Sequence, residues 1–143
     1  MPDTQSHAIE RNAKNAIVAI DGRAVERFEC NGCGSFWCAY LIMDNLPFLP
    51  MRPLCCEHDF EYWRGGTEAD RLRADTDFYL GILSFQNGHC APVRCYIRWV
   101  ASVRYAAVRC FGGHGSFVFT RNGQPREPIV IEGAFYFFKD EAA

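Results

Sequence analysis

Pro53-Leu-Cys-Cys-Glu-His-Asp-Phe-Glu-Tyr-Trp-Arg-Gly-Gly-Thr67 decides the reading of the fold. A proline suits the first turn of a helix, where its missing N–H needs no partner and its φ is already set. The glycine pair supplies a left-handed stop. The spacing therefore predicts a helix over 54–64. Thr67-x-x-Asp70 is a capping box with the shorter acid, so a second helix starts at once and runs back antiparallel over 67–85, ending at Gln86-Asn-Gly88. On the first helix, Cys55, His58 or Asp59, and Tyr62 stand at i, i+3/i+4 and i+7 and share a face. His58 and Asp59, adjacent in the chain, are splayed by about 100° and serve two neighbouring tasks rather than bonding each other. One division is a proton-accepting imidazole beside a ligand for a hard cation. On the second helix, Asp75 falls where a partner could face His58.

Outward from this pair the pattern is mixed. A third helix is predicted over 92–110, stopped by Gly112-Gly113. Leu72, Phe78 or Tyr79, and Ile82 to Leu83 are expected on the buried side of the second. Upstream, Ala16-Ile-Val-Ala-Ile and Arg23-Ala-Val-Glu-Arg-Phe28 flank Asp21-Gly22, a hairpin signal because a type I′ turn needs positive φ at both central residues. Downstream, Ser116-Phe-Val-Phe-Thr and Ile129-Val-Ile read as a second hairpin around Asn122-Gly123, with Ala134-Phe-Tyr-Phe-Phe138 as a further strand. Residues 1–15 read as a flexible polar arm. The expected class is α+β: an antiparallel helix pair plus a third helix, flanked by N- and C-terminal β-hairpins. One domain, 16–143, divides into a hairpin (16–29), a helical core (30–113) and C-terminal strands (114–143).

Composition limits the alternatives. In 143 residues, 49% hydrophobic and 22% charged content makes one core and neither two domains nor a disordered chain. No apolar run of about 18 residues occurs, which excludes a spanning helix. Met1-Pro-Asp-Thr-Gln-Ser-His has no charged-then-apolar leader, so synthesis in the cytoplasm without a signal peptide is expected. The net charge of −2 hides an asymmetry: seven acids against three arginines between Glu57 and Asp77, and six arginines with no acid between Ala91 and Arg126. The two segments either neutralise each other or favour a cation and an anion respectively. The basic segment is short and carries no base-stacking fold, so nucleic acid is not the expected partner. Arg94 and Arg98, one turn apart near Tyr96 and Trp99, instead suit contact with anionic lipid headgroups.

Eight cysteines in a chain without a leader point to reduced thiols or metal ligands, although a protein acting outside the cell could oxidise them. Cys30-x-x-Cys33-Gly34 looks like half a zinc site, which Cys38, Cys55, Cys56 or His58 could complete. The same Cys30, Cys33, Cys55 and Cys56 could form disulfides. A cysteine nucleophile, Cys55 or Cys90 with His89 or His114, has no surrounding signature.

Cys55-x-x-His58-Asp59-x-x-Tyr62 resembles the active-site helix of the phospholipase A2 family, and the glycine-rich Cys30-Asn-Gly-Cys-Gly34 and the antiparallel helix carrying Asp75 fit the same plan. The chain is also similar to uncharacterised bacterial and phage proteins with a Cys-Cys, His-Asp, Tyr-Trp stretch. Gly65-Gly66-Thr67, Asp70-Arg71, Ala74-Asp75, Tyr105-Ala-Ala-Val108-Arg109 and Gly112-Gly113 extend that similarity. The resemblance implies a Ca²⁺-dependent phospholipid ester hydrolase working at a membrane surface. His58 would be the general base, Asp75 (or Asp77) would hold its tautomer, and Tyr62 would support that carboxylate. Asp59 and the carbonyls of Gly32 and Gly34 would bind Ca²⁺. The loop lacks the family's full glycine pattern, and Phe36 to Pro53 lengthens the path to His58. The contrasting expectation is a non-catalytic structural or binding component of a larger assembly such as a phage virion, with other protein subunits as partners. It would hold Zn²⁺ or no metal, and disulfides or the zinc would brace the fold.

Overall fold

The computed structural model describes residues 6–30, 45–113 and 115–143. Three helices form as the punctuation predicts. Helix α1 spans Arg52–Arg64, with Pro53 in its first turn, and ends where Gly65 takes φ 70°. Helix α2, Glu68–Ser84, opens on a complete capping box: the Thr67 hydroxyl accepts from the Asp70 N–H, and the Asp70 carboxylate accepts from the Thr67 N–H. Helix α3 is Ala91–Phe111. Leu54 lies over Gly81, His58 against Phe78, and Tyr62 reaches Asp75, so α1 and α2 run antiparallel. Their apolar sides meet α3 in a core of Leu49, Met51, Cys55, Phe78, Ile82, Ile97, Val100 and Ala101.

The strands of the two chain ends join in one antiparallel sheet of order β1-β2-β3-β7-β6. Its members are β1 (Ile9–Arg11), β2 (Ile17–Ile20), β3 (Arg23–Arg27), β6 (Ile129–Ile131) and β7 (Ala134–Phe138), while β4 (Asn45–Leu46) and β5 (Leu49–Pro50) make a separate small hairpin. Asp21 and Gly22 both have positive φ, 51° and 76°, as the first hairpin requires. The class is thus α+β, with strands from both termini flanking the helices.

Three expectations are corrected. Residues 9–11 are not arm but an edge strand on β2, held near its start by Asp21, whose carboxylate takes the Ala8 N–H and His7 Nδ1. The C-terminal hairpin closes at Glu132-Gly133 (φ 52° and 77°), not at Asn122-Gly123. Residues 116–120 leave the sheet because α1 ends with backbone groups unpaired. Val118 donates its N–H to Tyr62 O and accepts from the Gly66 N–H, and Thr120 donates to Gly66 O. Leu72 is exposed; the buried stripe of α2 is Arg71, Ala74, Asp75, Phe78 and Ile82, so two of its five members are charged.

Sheet and helices are clamped together by aromatic rings and one arginine. Phe28 meets Phe60 and Trp63 edge-on, with ring centroids 5.3 and 5.7 Å apart, and Phe60 also meets Phe135 and Phe137. Arg126, fully buried, pairs with Glu26 at 2.9 Å and donates to the carbonyls of Trp63 and Phe138. Cys30 and Cys56 are joined in a disulfide that ties the end of the β3 segment to α1, and Cys55 is disulfide-bonded as well. For Cys30 and Cys56 the disulfide, rather than reduced thiols or zinc ligation, is therefore what the fold uses. Cys33 lies outside the described residues.

Candidate active site

The site grows from the crossing of the two helices. The 3.6-residue period of α2 that buries Phe78 and Ile82 also turns Asp75 inward, where it has no exposure. On α1 the same geometry buries Cys55, His58 and Tyr62. His58 Nε2 lies 2.7 Å from Asp75 Oδ1, and the Tyr62 hydroxyl donates to that same oxygen at 2.6 Å. An ionised carboxylate can only accept, so Nε2 carries a proton, and in the neutral ring Nδ1 is then the nitrogen with the lone pair. Among the described residues Nδ1 has no hydrogen-bond partner.

The second carboxylate oxygen faces α3. Arg109 Nη1 donates to Asp75 Oδ2 at 2.7 Å, and Arg71 Nε stands 4.0 Å from it. Both guanidinium groups also reach Glu68, and Arg71 further donates to the carbonyls of Val108 and Arg109. Burial pushes the Asp75 carboxyl up, but the bonds from His58, Tyr62 and Arg109 together outweigh it and hold the group below its ordinary value. The Tyr62 hydroxyl is pushed well above its usual range by burial and then by the neighbouring Asp75 charge, so it stays a donor. Bonds to Asp75 and Glu68 likewise raise Arg109. The imidazole thus leans on an ionised carboxylate, an arrangement that in the neutral form of the ring can accept a proton at Nδ1 and stabilise the resulting cation.

His58 lines an apolar cavity of about 550 Å³ walled by Phe28, Leu54, Phe60, Phe78 and Phe135. The imidazole, only 8% exposed, packs against the rings of Phe78 and Tyr62 at 4.8 and 4.2 Å. Asp77, the other candidate partner for the imidazole, is exposed at this cavity, and it is Asp75 that makes the bond.

Asp59 projects to the other side of Tyr62. It lines a smaller pocket of about 260 Å³ with Glu26, Trp63, Ser116 and the backbone around Gly115. Its side-chain donors are oxygens, without a thiolate or imidazole, which fits a hard cation rather than zinc. Glu26 is already paired with Arg126, and among the described residues no group of three or more His, Cys, Asp or Glu side chains converges. Gly32 and Gly34 lie outside the described residues, as does His114. Arg94 and Arg98 are exposed on α3 and do not line the His58 cavity; Arg98 donates to Gln86 at 2.9 Å. Cys90 is an exposed free thiol.

Two members of the site escape the sequence reading, Arg71 and Arg109. A signal for Arg109 existed, since the acid-free 91–126 follows the acid-rich second helix, which carries a cluster of counter-charges. Which arginine would reach Asp75 depends on how α3 crosses α2. No family model, curated protein or solved structure matches this chain.

Proposed function

We propose that the protein is a phospholipase A2-like hydrolase of phospholipid esters, with His58 as general base. The observation that carries the reading is the His58 Nε2–Asp75 Oδ1 bond of 2.7 Å, shared with the Tyr62 hydroxyl, on an imidazole that lines an apolar cavity. A phospholipid that enters the phenylalanine-walled cavity has its ester brought to Nδ1. Nδ1 takes the proton of the attacking water, Asp75 stabilises the imidazolium, and the same ring returns the proton to the departing alkoxide. Tyr62 and Arg109 keep Asp75 fixed and ionised; they position the base without touching substrate.

Asp59, with the carbonyls of Gly32 and Gly34, would hold Ca²⁺; because Asp59 lines a pocket separate from the His58 cavity, the ion would polarise an ester carbonyl only of a lipid that reaches both. Fatty-acid release from phosphatidylcholine vesicles tests the proposal, with wild type and His58→Gln compared in calcium and in chelator. Release that needs His58 and calcium supports both roles. Release that needs His58 but survives chelation removes the role given to Asp59. Equal background in all arms overturns the enzyme and leaves a braced, non-catalytic subunit.

A further inference from the structure

The walls of the His58 cavity carry a charge pattern of their own. Three carboxylates, Glu57, Glu61 and Asp77, stand among its lining residues, and no arginine or lysine does. Glu57 and Asp77 are exposed, and Glu61 has a long contact to Arg64, at 3.4 Å. Among the described residues, no arginine of this arginine-rich chain lines the cavity that His58 borders.

Beside the acids stand three phenylalanine rings. Phe28 and Phe60 are edge-to-face at 5.3 Å and 82°, and Phe60 and Phe135 at 5.1 Å and 63°. All three rings line the cavity. A ring face attracts a cation through its quadrupole, and a quaternary ammonium, unable to donate hydrogen bonds, is suited to such a setting. Carboxylates nearby add long-range attraction for the same group and repel an anion.

We propose that this cavity is a subsite for the quaternary ammonium of an amphiphile, so that the ester presented to His58 carries a zwitterionic phosphocholine headgroup rather than an anionic one. The inference deepens the hydrolase reading and rests on it for the word substrate, but the subsite is a binding property that can be read without turnover. It also separates two roles: the arginines of α3 do not recognise the headgroup of the lipid being cut.

The test is calorimetric titration of the full chain with octylphosphocholine, octyl phosphate and octyl glucoside, each below its micelle concentration. Octylphosphocholine should bind about tenfold tighter than octyl phosphate, a preference that shrinks as salt is raised. Glu57→Gln with Asp77→Asn should bring the two affinities within about twofold and leave octyl glucoside unchanged. Both positions are exposed, so the double variant keeps the fold, and an unchanged melting temperature verifies it. Phe60→Leu should weaken octylphosphocholine more than octyl glucoside. Octyl phosphate binding as well as octylphosphocholine, a preference that survives the double substitution, or no binding of any amphiphile overturns the subsite. The titrations are repeated on His58→Gln, in which the preference for octylphosphocholine over octyl phosphate should persist. Charge-selective binding there, with no ester hydrolysed by wild type, sinks the hydrolase and leaves the subsite standing.

Discussion

Replacing Asp75 with asparagine is the most demanding test of the buried network. The side chain keeps its size but loses its charge and one acceptor. In the native protein Oδ1 takes two donors, His58 and Tyr62, and Oδ2 takes Arg109. Whichever way the amide is turned, its NH₂ group points at a donor. One orientation sets it against Arg109, the other against Tyr62 and His58. Breaking a buried ionic arrangement by removing one partner costs about 3–5 kcal/mol. Arg109 is one-quarter exposed and can turn to solvent, so the lower end applies, about 3 kcal/mol. With an unfolding entropy near 2.1 cal/mol/K per residue over 143 residues, the melting temperature should fall by about 10 °C.

The loss has a pH signature. Asp75 titrates below its ordinary value in the folded state. Its contribution is therefore fully present above the unfolded-state pKa, near 3.8, and disappears as pH falls through the lower folded value. The gap in melting temperature between wild type and Asp75→Asn should be constant from neutral pH down to about 5 and narrow below about 4. Melts followed by circular dichroism across that range measure it. Glu68→Gln, which neutralises the exposed carboxylate shared by Arg109 and Arg71, is the control and should shift the melt by less than Asp75→Asn does. A wild-type-like melt for Asp75→Asn at pH 7, within about 3 °C, would refute the reasoning, because a carboxylate with three short donors and no solvent cannot be neutralised at no cost.

Cys30→Ser with Cys56→Ser opens a crosslink spanning 26 positions and should lower stability by about 3.5 kcal/mol on the chain-entropy scale; urea titration of the oxidised proteins gives the value. Gly112→Ala places a methyl group against the Tyr62 hydroxyl and the Val108 carbonyl. It should displace Tyr62 from Asp75 and cost about 1–3 kcal/mol, a loss that Tyr62→Phe in the same chain reduces, read from the double-mutant cycle in thermal melts. Leu72→Lys should stay within about 0.5 kcal/mol of wild type, whereas Ala74→Lys, two residues along the same helix and buried, should unfold the helix pair in the same assay.

What could be read from the chain divides by the range of the interaction. Helix limits were legible because Pro53, Gly65-Gly66 and the Thr67–Asp70 box act within four residues of where they stand. The first hairpin was legible for the same reason, through Asp21-Gly22. The His58–Asp75 pairing followed from helix period and a short turn, both local. The second hairpin was misplaced because Asn122-Gly123 is a stronger turn signal than Glu132-Gly133. Only the tertiary demand of Tyr62 O and the Gly66 N–H pulls 118–120 away from the sheet. Leu72 was assigned to the wrong face because burial of Arg71 and Asp75 makes sense only once Arg109 arrives from a third helix. The single sheet required β3 to find β7 more than 100 residues away, which no local pattern encodes.

The network around Asp75 bears on whether it is a brace or a catalytic device. As a brace alone it is a poor choice, since apolar residues of the same volume commonly serve as well as a buried ion pair, or better. The arrangement is also lopsided in a way that bracing does not require. Asp75 is bound on both oxygens, and Tyr62 and Arg109 are each committed to it. Among the described residues His58 Nδ1 has no hydrogen-bond partner, and His58 is the member of the cluster that lines the phenylalanine cavity. A scaffold histidine would more economically turn both nitrogens to fixed partners or give way to a phenylalanine beside Phe78. Holding one nitrogen rigidly while leaving the other for a visitor is the division of labour that proton transfer demands. The four groups can therefore be ranked by what they face. Arg109 and Tyr62 set the charge and position of Asp75, Asp75 sets the tautomer of His58, and only His58 meets what enters the cavity. Substitutions at Tyr62 or Arg109 should accordingly depress turnover with little change in amphiphile affinity, and those at Glu57 or Asp77 should do the reverse.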